Sequence, residues 1–201
     1  SLTIASTAEQ VAIGQLAVGK LRVFIDGESS FCAALRDALF MRSVAAWVEA
    51  DGSGRWIPLP AIPVSAAGFD EDESLIDFPA RSHDAYRLLT EYFCFPEKFN
   101  FFDIDLTALC GALPADARSV SLHLALSGMR TDSNIARMLG TLTTNNVLLG
   151  CTPVVNLFRE RGEPLRLTHT SASYPVLADA RRTYAFDVHP INSVSLVRQT
   201  P

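Results

Sequence analysis

Between Glu91 and Phe102 the sequence runs Glu-Tyr-Phe-Cys-Phe-Pro-Glu-Lys-Phe-Asn-Phe-Phe, six aromatic rings in twelve residues. Each ring carries roughly 150–250 Å² of surface, so the fold has to close over this stretch. Pro96 stands in its middle, and a proline ends or kinks a helix near the residue before it. The spacing predicts a helix running into Phe95, a turn at Pro96-Glu97-Lys98 and a strand beginning at Asn100 or Phe101. Together they form a buried corner in which Tyr92, Phe93, Phe95, Phe99 and Phe102 are structural residues.

The helix entering the corner has Ser82 as its cap and Asp84 in its first turn, where a carboxylate suits the helix dipole. Ala85, Leu88, Leu89, Tyr92, Phe93 and Phe95 predict a broad apolar side buried on more than one face. Upstream, Pro60 to Arg81 is a proline-punctuated loop holding Asp70, Glu71, Asp72 and Glu73. A calcium loop starting at Asp70 needs Gly sixth and Glu twelfth, and the chain has Leu75 and Arg81 there. A general acid and base would need a pocket that perturbs their pKa values, whereas this run reads as solvated. It is an exposed acidic loop, with an interaction loop for a basic surface as the functional alternative.

Elsewhere the periodicities alternate between helix and strand. Leu21 to Ile25 alternates and stops at the turn pair Asp26-Gly27. Ser29 or Ser30 is the expected cap of a helix over Phe31–Arg42, whose Phe31, Ala34, Leu35, Ala38 and Leu39 share one face. Val44–Val48 and Trp56–Leu59 flank an Asp51-Gly52-Ser53-Gly54 turn, a hairpin. Val120, Leu122, Leu124 and Leu126 alternate with polar residues that include His123, the clearest strand of the chain. Asp132 or Ser133 caps a shorter helix with Ile135, Met138, Leu139 and Leu142 on one face. The tail predicts further strands at Leu165–Thr168, Tyr174–Leu177, Tyr184–Val188 and Ile191–Val197. The fold class is α+β: mixed sheet, about three helices, many short strands and a β-rich C-terminal third. We expect one domain over 1–201, or two lobes of about 1–110 and 111–201. Strand Leu21–Ile25 with its helix and strand Val120–Leu126 with its helix form a weak internal echo.

Other chemistries find little support. A net charge of −5 with no basic run beyond Arg181-Arg182 gives no footprint for nucleic acid or an anionic membrane, and no window reads as a membrane span. Gly14 to Lys20 fits seven places of a phosphate-binding loop, but Leu21 replaces the hydroxyl and a strand follows instead of a helix. Cys32, Cys94, Cys110 and Cys151 lack metal-ligand spacing and read as buried thiols of a cytosolic protein. His83, His123, His169 and His189 sit in no ligand or nucleophile pattern; no acid or Cys is spaced to meet His123. An enzyme, a hydrolase using the 70–73 carboxylates with a His, and a small-molecule or peptide binding module remain as other classes.

The run Gly68 to Glu73, then Tyr86 to Phe99 with its Glu91-Tyr92-Phe93-Cys94-Phe95-Pro96-Glu97-Lys98-Phe99 core, then Phe101-Phe102-Asp103, resembles the signature of the TssF (VasA/ImpG) family. Leu21 to Gly27, the segment Cys151-Thr152-Pro153-Val154-Val155-Asn156-Leu157-Phe158, and Glu163 to Leu167 with His169 agree in the same order. The resemblance implies an internal domain of a longer, non-catalytic subunit of the type VI secretion baseplate. Such subunits pair with TssG in a wedge, contact TssK and other TssF copies, and surround the VgrG spike hub near the sheath, in the cytoplasm beneath the membrane complex. No cofactor or metal is implied.

Overall fold

The computed structural model describes residues 1–8, 11–13, 19–78, 81–186, 188 and 191–197. The phosphate-loop lookalike at 14–18, His189 and residue 187 of the expected strand Tyr184–Val188 lie outside them. The chain divides into two units, Ser1–Val154 and Val155–Pro201.

The first unit holds two antiparallel four-stranded sheets. In one, the order is β1 (Leu2–Ala5), β7 (Ser119–Leu126), β3 (Ser43–Ala50) and β4 (Ile57–Pro58). In the other it is β5 (Val64–Ala66), β6 (Phe101–Asp105), β2 (Lys20–Ile25) and β8 (Val147–Leu149). Both sheets therefore take strands from either side of residue 110. The helices are α1 (Ser29–Asp37), continued by a π-helical turn at Ala38–Arg42, α2 (Asp84–Cys94), α3 (Leu106–Cys110) and α4 (Asn134–Leu139). The expected α+β class is observed.

One contiguous core draws on both sheets: Val23 and Ile25 from β2, Phe102 and Ile104 from β6, Val48 from β3, and Val120 and Leu122 from β7, with Phe31, Cys32 and Leu35 from α1. These are the alternate positions of each strand, as a period of two requires. The echo falls at the middle of each sheet: β2 and β7 are both central strands, and their following helices, α1 and α4, pack together.

Several local expectations change. Ser29 and Ser30 lie inside α1, whose cap is Glu28 without a side-chain bond; α4 does start from Ser133, whose Oγ accepts from the Ala136 amide at 3.2 Å. For α2 the cap is His83 in place of Ser82, with Nδ1 accepting from the Ala85 amide at 3.2 Å. His123 does meet an acid: Glu49, on the neighbouring β3, lies 2.9 Å from its Nε2. Only Cys32 is buried; Cys110 and Cys151 are half-buried and Cys94 is exposed.

The second unit corrects the β-rich C-terminal third. Among its described residues there is no strand, only a 3-10 turn at Thr183–Ala185. Its order comes from local bonds: the Thr168 and His169 amides donate to the Tyr174 hydroxyl, at 3.1 and 3.0 Å, and the Glu163 amide donates to the Leu177 carbonyl at 2.8 Å. Leu165, Leu167, Val194 and Leu196 are exposed. Their alternation suits a strand, but a strand without a paired neighbour leaves its amides and carbonyls to water and gains nothing over coil.

Candidate interaction surface

β6 is buried on both faces. Phe102 and Ile104 face the core; Phe101 and Asp103 face the other way, where the Phe101 ring packs tilted against Phe24 of β2, with centroids 4.8 Å apart. In register with Asp103 stands Arg22, whose Nε and Nη2 donate to the two carboxylate oxygens at 2.8 and 2.9 Å. A fork of this kind matches guanidinium to carboxylate. Arg22 also pairs with Glu73, and its pKa is raised, with the Asp103 bond the largest cause.

Glu73 belongs to the acidic run, where the structure places Asp70, Glu71 and Asp72 exposed but turns Glu73 inward. Its Oε2 accepts from the Gly68 amide at 2.6 Å and the Asp70 amide at 3.2 Å, closing a capping box with Asp70 around the short 3-10 turn Glu71–Glu73. Gly68 has φ +94°, and a Cβ there would lie 2.9 Å from the Lys98 carbonyl, so the loop crosses the corner at a point only glycine fits.

The same loop is held from the other side by α2. Arg87 Nη2 donates to the Phe69 and Asp70 carbonyls at 3.1 and 3.3 Å, and the Leu75 amide donates to Glu91 Oε1 at 2.9 Å. Glu91 Oε2 accepts from Arg87 at 3.2 Å and pairs with Lys98. Lys98 lies in the 3-10 turn Pro96–Asn100 that Pro96 opens, is 1% exposed, and lies 5.4 Å from the Phe99 ring centre. Two triads thus flank the 68–75 loop: Asp103–Arg22–Glu73, net negative, and Arg87–Glu91–Lys98, net positive.

The burial of Arg87 and Glu91 reverses the expected polarity of α2. At about 100° per residue, these two lie on the inward side, and Tyr86, Leu89 and Phe93 share the opposite one. Phe93 is 79% exposed, Tyr86 64%, Leu89 52% and Tyr92 49%. The buried-corner expectation therefore holds for Phe99, Phe101 and Phe102 and is corrected for Tyr92 and Phe93; Phe95 is half-buried, and Pro96 and Glu97 are exposed. Tyr92 leans on Phe99 at 5.8 Å and Phe93 on Tyr92 at 5.6 Å. The inward side needed charges because the loop it covers presents carbonyls and an amide, and buried polar groups must be paired. The i,i+4 spacing of Arg87 and Glu91 was the available signal for this.

The second signature segment is exposed in part: Thr152 is exposed and Pro153 half-buried, while Asn156, Leu157 and Phe158, in the second unit, are exposed. There Phe158 meets Phe186 edge-on at 6.0 Å.

Chemistry-bearing groups do not converge. No described hydrogen bond or ion pair joins a histidine to Asp70–Glu73: His83 caps α2, and His123 bonds Glu49 while stacking on Trp56 at 4.0 Å. The two best-formed clefts among the described residues, of about 250 and 190 Å³, fall below the usual range of ligand sites, and neither includes any of the acidic run. Among the described residues no group of three His, Cys, Asp or Glu side chains could hold a metal, and no helix is long and apolar enough to cross a membrane.

Glu73 gives the site a pH signature. Burial pushes its carboxyl up, but the Gly68 and Asp70 amides and the Arg22 guanidinium outweigh that and hold it below its ordinary value of 4.5. A depressed carboxyl stabilises the fold above its unfolded pKa, and the contribution disappears as pH falls through the lower folded value. Glu73→Gln is expected to cost about 1–3 kcal/mol at pH 7, and the gap to the unsubstituted chain should close in urea melts repeated below the ordinary carboxylate range. A gap that persists there would place the contribution elsewhere.

The geometry defines a domain in which two charged triads hold a loop against a helix, with an apolar helix face left outward. Residues 1–201 match the sequence model of the family described as "Type VI secretion system, TssF". The type VI secretion system component TssF1 of Pseudomonas aeruginosa is 28% identical over 186 residues, 92% of this chain and 29% of that protein. A chain in the cryo-electron microscopy structure of the TssK-TssF-TssG baseplate subcomplex has the same fold over 85% of this chain, with a TM-score of 0.59 and 24% identity. The chain belongs to the TssF family. It spans 29% of the length of the curated relative and 31% of that of the solved chain.

Proposed function

We propose that the chain is a domain of a structural subunit of the type VI secretion baseplate wedge. It assembles with TssG and TssK, alongside other TssF copies, around the VgrG spike hub, and supports sheath and tube assembly on the cytoplasmic side. The family match across all 201 residues carries this reading. The dispersal of histidines and carboxylates into capping and pairing roles favours a non-catalytic part. The signature residues Glu91, Lys98, Phe99 and Phe102 then serve to build the corner, and Asp70, Glu71 and Asp72 are the acids left for an interaction loop.

The test uses the full-length protein. It is expected to co-purify with TssG and TssK, and deletion of this segment should abolish sheath assembly. Secretion that continues unchanged after the deletion would overturn the reading.

A further inference from the structure

The second unit is rich in apolar side chains and has no core of its own. Half of the large apolar side chains exposed among the described residues lie in Val155–Pro201, under a quarter of the chain, and no hydrophobic residue described there is buried. A segment that buries nothing has no gain to set against the entropy of ordering, and a solvated linker would be polar. The unit is not patternless either. Bonds from the Thr168 and His169 amides to the Tyr174 hydroxyl, and from the Glu163 amide to the Leu177 carbonyl, draw residues 163–177 into a closed loop on which Leu165 and Leu167 are exposed.

Leu165 and Leu167 alternate with Arg166 and Thr168, and Val194 and Leu196 with Ser193 and Ser195. Val194 is 88% exposed and Leu196 72%. No described backbone–backbone hydrogen bond reaches residues 164–167 or 191–197. Alternating apolar side chains beside unpaired amides and carbonyls call for another strand, because a flat apolar surface would cover the side chains and leave the backbone unsatisfied.

The scale of the exposure selects what supplies that strand. Interfaces between subunits that exist separately are about as apolar as the rest of a protein surface, while apolar strand edges left open on a free subunit are sites of aggregation. The cover therefore belongs to the subunit itself. In TssF1 of Pseudomonas aeruginosa the matched region is 29% of the protein, so a protein of that length carries more than two thirds of its polypeptide outside the region. Segments tethered in one chain meet at an effective concentration on the order of millimolar.

We infer that residues 164–168 and 191–197 pair as β-strands with further segments of the same polypeptide, outside these 201 residues, so that the second unit is one part of a sheet that the longer chain completes. The added segments alternate as well, apolar on the face they share with Leu165, Leu167, Val194 and Leu196. The inference rests on the family membership and the length of the relative, and it stands apart from the baseplate role.

Hydrogen–deuterium exchange on the full-length protein, without TssG or TssK, tests it; the 201-residue chain, whose first unit has its own core, is the comparison. Amides of 164–168 and 191–197 are expected to exchange at least about a hundredfold more slowly in the full-length protein than in the 201-residue chain, at every protein concentration. Leu165→Asp with Leu167→Asp should restore fast exchange at 164–168 and leave β2 and β6 protected, since inward charges block strand pairing. Fast exchange of both segments in the unsubstituted full-length protein overturns the inference, as does slow exchange at 164–168 that survives the double substitution. Protection that appears only with TssG or TssK bound, or only at high concentration, also overturns it by assigning the cover to a partner or a second copy. Equal protection in the 201-residue chain overturns it too, because the first unit would then suffice.

Discussion

Lys98→Met is expected to destabilise the domain by about 3–5 kcal/mol, because removing one partner of a buried ion pair leaves the other charge uncompensated. Lys98 is 1% exposed and Glu91 5%, so little water can take over. Arg87 remains beside Glu91 Oε2, but its second nitrogen is committed to the Phe69 and Asp70 carbonyls and cannot swing to replace the lysine without releasing the loop. Glu91→Gln removes the charge shared by two cations and should cost more than Lys98→Met. Urea unfolding gives both values. A Lys98→Met loss under about 1 kcal/mol would mean that the triad is worth no more than a surface pair.

Phe99→Ala should cost about 3–5 kcal/mol, the range for truncating a buried phenyl ring, while Phe93→Ala should stay within about 0.5 kcal/mol, as for surface changes. The two residues lie six positions apart in the same aromatic run, so the contrast tests the orientation of α2 directly. Phe99 is 2% exposed and touches Phe69 at 5.0 Å as well as Tyr92; among the described residues Phe93 meets only Tyr92 as a ring partner. Phe95→Ala, at a half-buried position, belongs between them. Comparable losses for Phe93 and Phe99 would show that the face of α2 is packed within the isolated chain.

Local periodicity is a good guide where one face of an element meets a core. β7 alternates as its sequence predicts because Val120 and Leu122 pack inward while Ser121 and His123 face out, and the corner turns at Pro96 because proline cannot continue α2. What could not be read is what α2 rests on. Apolar residues are assigned inward by default, and the loop beneath this helix presents polar backbone that only Arg87 and Glu91 can satisfy. The partners of the acidic run were equally hidden: Arg22 reaches Glu73 only because β2 lies beside β6, and 81 positions separate Arg22 from Asp103. His123 and Glu49, 74 positions apart, met for the same reason across two strands. In the tail, alternation was present without a neighbouring strand to make it a sheet.

The two triads also define how force passes through the domain. A load applied to the exposed rings of α2 runs through Glu91 and Lys98 into the turn that leads to β6, and through Arg87, the 68–75 loop, Glu73 and Arg22 into β2. β6 and β2 are the two inner strands of their sheet, bonded to each other along their length. A pull on this helix is therefore divided between two routes that end on the two inner strands of a sheet, so the helix is an anchored fitting and not a hinged arm.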